Sequence, residues 1–112
     1  KAFKKKTLQT RLFHFEEIQK CKKTKNSFNC FAKRFAAKEA FSKATGLGIS
    51  KNLHFKNIEV KKNKKGKPLI NLESSTTKYL NKKFRVKGFK TNLSLSDEKN
   101  YSIAYVVIEK KW

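Results

Sequence analysis

Aspartate occurs once, at Asp97, and only eight residues are acidic, against 29 lysines and arginines. A constellation of paired aspartates is therefore excluded from these residues. Cysteine is almost absent too. Cys21 and Cys30 are neither spaced as Cys-x-x-Cys nor close to a histidine partner, which argues against a zinc site. In a cytosolic chain they read most simply as reduced, partly buried thiols. No apolar run approaches the ~20 residues needed to cross a bilayer. No basic start, apolar stretch and small-residue cleavage site marks a signal peptide. The chain is expected to be soluble and cytoplasmic, with no membrane partner. No internal repeat is visible, and a length of 112 residues predicts one domain spanning 1–112.

What is abundant is positive charge. The formal net charge is +21, from 26 lysines but only three arginines (Arg11, Arg34, Arg85). A polyanionic partner is the obvious implication. Yet specific phosphate and base recognition favours the planar fork of Arg. Lys, Asn and Phe all have AT-rich codons, so a biased genome accounts for much of the lysine. Ten Phe residues supply core material to a chain whose apolar fraction is 38%. A domain this small buries only about two-thirds of its unfolded surface, which makes oligomerisation a natural way to bury more.

Apolar residues near helical spacing predict two short helices between Ala2 and Cys21, broken around His14. Phe31 to Ala44 is rich in helix-forming Ala, Lys and Glu, with Asn29 as the predicted N-cap and Gly46 as the stop. Phe55–Lys62 and Leu69–Leu72 read as strands around a turn at Asn63–Pro68, and Ser74–Lys83 as a short helix capped by Ser74 or Ser75. Thr91–Ser96 and Tyr101–Ile108 are expected to pair as an antiparallel hairpin around Asp97–Asn100. The fold class predicted is α+β.

On the wheel of the central helix, Ala32, Phe35, Ala36, Glu39 and Lys43 share a face. The plainest reading of Glu39 and Lys43 is an i,i+4 salt bridge worth a few tenths of a kcal/mol (~0.3). Arg34 and Lys38 form a second stripe, and Gly46-Leu47-Gly48 follows at once. Glycines there would let backbone N–H groups reach a phosphate, although the C-terminal helix dipole repels anions and calls for a compensating cation such as Lys43. Glu39 for a hard divalent cation, with Lys43 and glycine amides for phosphate oxygens, suits transfer of a phosphate ester. His14 and His54 stand apart from any such cluster and read as structural.

The run Arg34-Phe35-Ala36-Ala37-Lys38-Glu39-Ala40-Phe41-Ser42-Lys43-Ala44-Thr45-Gly46-Leu47-Gly48-Ile49 resembles the signature of the holo-[acyl-carrier-protein] synthases, the small bacterial 4'-phosphopantetheinyl transferases. The resemblance continues through Phe55–Val60, the Gly66-Lys67-Pro68 turn and Leu93-Ser94-Leu95-Ser96. It implies an antiparallel sheet packed with a long central helix. It implies transfer of the phosphopantetheine arm of coenzyme A to a serine of apo acyl carrier protein in fatty acid biosynthesis, with Mg²⁺. It also implies a homotrimer with active sites between subunits. By position, Glu39 matches the metal-ligand glutamate and Lys43 the lysine on the coenzyme A pyrophosphate. Both are the expected catalytic residues. Arg34, Gly46, Gly48, Gly66, Lys67 and Pro68 are the further positions expected near coenzyme A. Acyl carrier proteins are acidic, and Lys4, Lys5, Lys6 and Arg11 are the candidate docking cations, although a solvated charge run explains them as well.

Two departures from the family stand out. Its opening strand with a Gly-x-Asp motif, which carries the second metal ligand, has no counterpart here. The resemblance thus implies that the domain is N-terminally incomplete, with that piece preceding Lys1, and weak or no activity for these residues alone. Asp97 stands where many members have histidine after the serine, and a cap on the hairpin turn is its simplest role. Two other functions compete. A small basic nucleic-acid-binding protein would explain the charge but not Glu39 among alanines, and it would want Arg-rich or base-stacking motifs. A catalytically dead module could keep coenzyme A affinity alone.

Overall fold

A computed structural model describes residues 6–97 and 101–112. Three helices open the chain: α1 (Lys6–Leu12), α2 (Phe15–Lys23) and α3 (Ser27–Thr45). The break between the first two falls at Phe13 and His14, as the apolar spacing predicts. His14 is the N-cap of α2: its Nδ1 accepts the Glu16 N–H, and Glu17 Oε1 accepts the His14 N–H, closing a capping box. α3 begins earlier than the sequence suggests. Asn26 rather than Asn29 is its N-cap, its Oδ1 accepting the Asn29 N–H at 3.1 Å. At the other end Gly46 adopts φ 78°, a left-handed conformation that only glycine takes without cost, and stops the helix.

The cysteines depart from expectation. Cys21 in the last turn of α2 and Cys30 in the first turns of α3 are joined by a disulfide, their Cα atoms 5.4 Å apart. The short α2–α3 connection brings them together, a proximity that their sequence spacing does not announce. Around the bond, Phe13, Ile18 and Phe31 form one core cluster.

After α3, Phe55–Asn57 forms a single 3₁₀ turn where the sequence suggests strand. Only β1 (Glu59–Lys62) is extended, pairing antiparallel with β2 (Pro68–Asn71). α4 (Ser74–Phe84) follows, with Glu73 as its N-cap residue rather than either serine. β3 (Gly88–Asp97) and β4 (Ser102–Lys111) form the expected antiparallel hairpin, with Leu93 opposite Val106. Its turn at 98–100 lies outside the described residues. The long hairpin packs against α3 through Ala37, Leu93, Ala104 and Val106, while Phe41, Leu53, Ile58, Leu80 and Phe84 fill the space toward α4. Each fully buried Phe or Leu is worth about 1.5–3 kcal/mol in burial.

Candidate functional site

Helix α3 divides its charged residues between two sides. Arg34 and Lys38 point inward and are buried; Glu39 and Lys43 are exposed. Five residues from Arg34 to Glu39 amount to about 140° around the axis at 3.6 residues per turn, so the two stripes cannot serve one surface.

The inward stripe is structural in its geometry. Lys38 Nζ donates to Glu17 Oε1 at 2.7 Å and to the carbonyls of Phe55 and Ile58 at 2.9 and 2.6 Å. Its three donors are thereby used. Glu17 Oε2 in turn accepts the Val60 N–H at 2.9 Å. One buried ion pair thus ties α2, α3, the 3₁₀ turn and β1 together. Burial pulls the Lys38 pKa down, and the Glu17 carboxylate opposes that shift. Arg34 donates from its Nη1 to Cys30 Sγ at 3.1 Å, while its Nε is buried without a hydrogen-bond partner. Here too burial lowers the pKa and Glu17 raises it. Arg34 therefore faces the groove between α2 and β1, which Glu17, Lys20, Glu59 and Lys62 also line, and not the surface that carries Glu39.

On the outward stripe, the i,i+4 salt bridge between Glu39 and Lys43 does not form. Among the described residues the Glu39 carboxylate has neither a hydrogen bond nor an ion pair. Ala36 and Ala40 beside it are small and partly exposed, which leaves room for a ligand to approach. The glycine turn corrects one expectation. The amides of Gly46, Leu47 and Gly48 do not point freely outward. They donate to Lys43 O, Thr45 Oγ1 and Ser42 O at 3.0, 3.1 and 3.3 Å, closing the helix end. What the glycines offer is bare backbone: a Cβ at either would meet nothing within 4 Å.

The Gly66-Lys67-Pro68 turn caps the β1–β2 hairpin. Asn63 Oδ1 accepts the N–H groups of Lys65 and Lys67, both at 2.9 Å, and Gly66 takes φ 84°. Lys67 is left in solvent at the tip. Lys6 and Arg11 on α1 are exposed, whereas Lys4 and Lys5 lie outside the described residues. Asp97 does more than end a strand: it accepts from Lys33 Nζ at 3.1 Å and Asn29 Nδ2 at 3.2 Å, linking β3 to the start of α3.

Two buried acids, Glu17 and Glu59, escape a reading confined to the central helix. For Glu17 the signal is present in the sequence, since His14-Phe15-Glu16-Glu17 has capping-box spacing. For Glu59 it is only its place in a short strand.

Residues 2–106 match the family described as ACPS, the 4'-phosphopantetheinyl transferase superfamily. The chain is similar to the holo-[acyl-carrier-protein] synthase of Pelagibacter ubique, 45% identical over 111 residues, which cover 99% of this chain and 87% of that protein. It is 44% identical over 101 residues to the corresponding synthase of Ehrlichia chaffeensis, covering 88% of this chain and 74% of that one. Among solved structures, the Neisseria meningitidis holo-[acyl-carrier-protein] synthase superposes with a TM-score of 0.83 at 34% identity, covering 94% of this chain and 82% of that one. The Helicobacter pylori synthase, solved in complex with coenzyme A, does so with a TM-score of 0.74 at 34% identity, covering 92% and 82%.

Proposed function

We propose a residue-level mechanism for a chain that belongs to the 4'-phosphopantetheinyl transferase superfamily and, within it, to the holo-[acyl-carrier-protein] synthases. The reaction moves the 4'-phosphopantetheine group of coenzyme A to a serine of apo acyl carrier protein. The serine hydroxyl gives its proton to water as its oxygen bonds to the pantetheine-side phosphorus, the pyrophosphate bridge breaks, and adenosine 3',5'-bisphosphate leaves with the bridging oxygen. The barrier lies in bringing a hydroxyl to a polyanion and in stabilising charge on the leaving phosphate.

The observation that carries the residue assignment is the isolation of Glu39. On a helix whose inward Arg34 and Lys38 are hydrogen-bonded inside the fold, its carboxylate is exposed and, among the described residues, without a partner. A hard oxygen donor in that state fits Mg²⁺, which keeps several waters and takes phosphate oxygens for its other positions. When bound, the ion neutralises and orients the pyrophosphate. Lys43, one turn on and exposed, adds a cation for the same oxygens. The bare backbone at Gly46 and Gly48 lets the ligand lie close to the helix end. The Gly66-Lys67-Pro68 tip is assigned to the nucleotide end, with Lys67 Nζ as its cation.

Exposed Lys6 and Arg11 suit an acidic carrier, whose encounter a positive surface accelerates. Fatty acid biosynthesis in the cytoplasm is the setting that goes with such a carrier. β4 supports assembly into a homotrimer. Ile103, Tyr105 and Val107 alternate along its outer face, 40%, 74% and 54% exposed, opposite Ser96, Ser94 and Asn92 of β3. A second subunit would cover that face and supply the rest of the pocket. The whole of 1–112 is read as one transferase domain.

The test mixes the full-length protein with apo acyl carrier protein, coenzyme A and Mg²⁺ and follows the intact mass of the carrier. A phosphopantetheine adduct is expected. Its absence overturns the reading.

A further inference from the structure

Between the start of α2 and β1, three metal-ligand side chains converge that the transfer reaction does not use. One ring nitrogen of His14 and one carboxylate oxygen each from Glu16 and Glu59 lie within 4.8 Å of one another. Glu59 is only 6% exposed, and its Oε2 is buried with no hydrogen-bond donor. A buried carboxylate oxygen in that state is costly. Its orientation is nonetheless fixed, because Oε1 accepts from Asn71 Nδ2 at 3.2 Å.

The histidine sharpens the problem. His14 Nδ1 stands 3.7 Å from Glu59 Oε2. It accepts the Glu16 N–H at 3.2 Å, so it carries no proton for Glu59, and an ion bound there would take over its one lone pair from the Glu16 amide. The imidazole therefore gives the buried Glu59 Oε2 no hydrogen bond, and a carboxylate oxygen so placed calls for a cation. Lys61 meets that need poorly. Its Nζ is 3.4 Å from Glu16 Oε1 and 3.8 Å from Glu59 Oε2, beyond the about 2.7–2.9 Å of a charge-assisted hydrogen bond. Its side chain is also 44% exposed, so water competes for the ammonium.

We propose that His14, Glu16 and Glu59 form a divalent-cation site for a borderline ion of the Zn²⁺ class, with Lys61 as the cation that stands in when no metal is bound. One imidazole and two carboxylates, with a position open to water, are a zinc-type donor set, whereas Mg²⁺ prefers oxygen throughout. The α2 N-terminus carries partial positive charge, which the Glu16 and Glu17 carboxylates in its first turn offset. An ion there would pin α2 to the β1–β2 hairpin beside the Glu17–Lys38 pair.

The test titrates Zn²⁺ alone into the protein against a chromophoric chelator. No reductant is present, so that Cys21 and Cys30 stay bonded and cannot ligate. One equivalent is expected to bind. Glu59→Gln and Glu16→Gln should each weaken it at least about tenfold. Glu16 is exposed, so Glu16→Gln keeps the fold intact even if Glu59→Gln does not. Lys61→Ala should bind more tightly than the parent, and Glu39→Gln should bind equally well. The last variant separates this site from the transferase assignment. No stoichiometric binding, unchanged affinity in Glu16→Gln, or a Lys61→Ala variant no tighter than the parent would each overturn the proposal.

Discussion

Lys38 Nζ lies 2.7 Å from Glu17 Oε1, and neither side chain reaches solvent. The pair gathers hydrogen bonds from four elements, so its removal does more than delete one contact. Breaking a buried pair from one side leaves the other charge uncompensated. Glu17→Ala is therefore expected to cost about 3–5 kcal/mol in urea unfolding. Glu17→Ala combined with Lys38→Met should be more stable than Glu17→Ala alone, because no unpaired charge is left inside. A double variant no more stable than the single one would show that the hydrogen bonds to the backbone, not the charges, carry the effect.

Glu39 offers the opposite expectation. Exposed and without a partner among the described residues, it contributes nothing to the fold that a glutamine would not. Glu39→Gln should leave the thermal midpoint in place and abolish carrier modification by losing the metal. Full activity in that variant would remove Glu39 from the site.

Asp97 is held in its charged form by its neighbours. Hydrogen bonds from Lys33 and then Asn29 hold its carboxyl below the ordinary value of 3.8. The folded pKa is the lower one, so its contribution to stability is complete above the unfolded value and disappears as pH falls through the folded value. Lys33→Ala should move the Asp97 titration upward toward 3.8, as followed by carboxyl NMR. The effect on stability should be small, because the pair is exposed. An unmoved titration would sink the assignment.

The disulfide closes a short loop, the two cysteines being nine residues apart. Chain-entropy arguments put such a closure at about 2–3 kcal/mol. Reduction, or Cys30→Ser, should lower the thermal midpoint accordingly. Thiol counting on the denatured, unreduced protein should find no free cysteine, and two free thiols there would mean the bond does not form.

Much of this was readable beforehand, and the failures are instructive. Helix α3 and its stop at Gly46 follow from local propensity and the need for positive φ. Its start does not, because Asn26 and Asn29 are equally good caps until one side chain meets an amide. The alternation from Phe55 to Lys62 suggests strand, yet Phe55 and Ile58 are three apart, a spacing that suits a turn of helix better than a pleat. Glu39 and Lys43 are singled out by motif and spacing. The partner of Lys38 could not be, since 21 residues separate it from Glu17 and only the tertiary fold brings them together. The burial of Arg34 is hidden for the same reason: a helical wheel gives the stripe but not which stripe faces inward.

The uncovered face of β4 has a consequence for every one of these measurements. A small domain that leaves Tyr105 and Val107 in water gains stability whenever another copy shields them, and that gain follows mass action. Dilution then acts as a mild denaturant and crowding of copies as a stabiliser. The melting temperature of this chain should climb with its own concentration, and substitutions in the interior and at the surface are comparable only at a shared one.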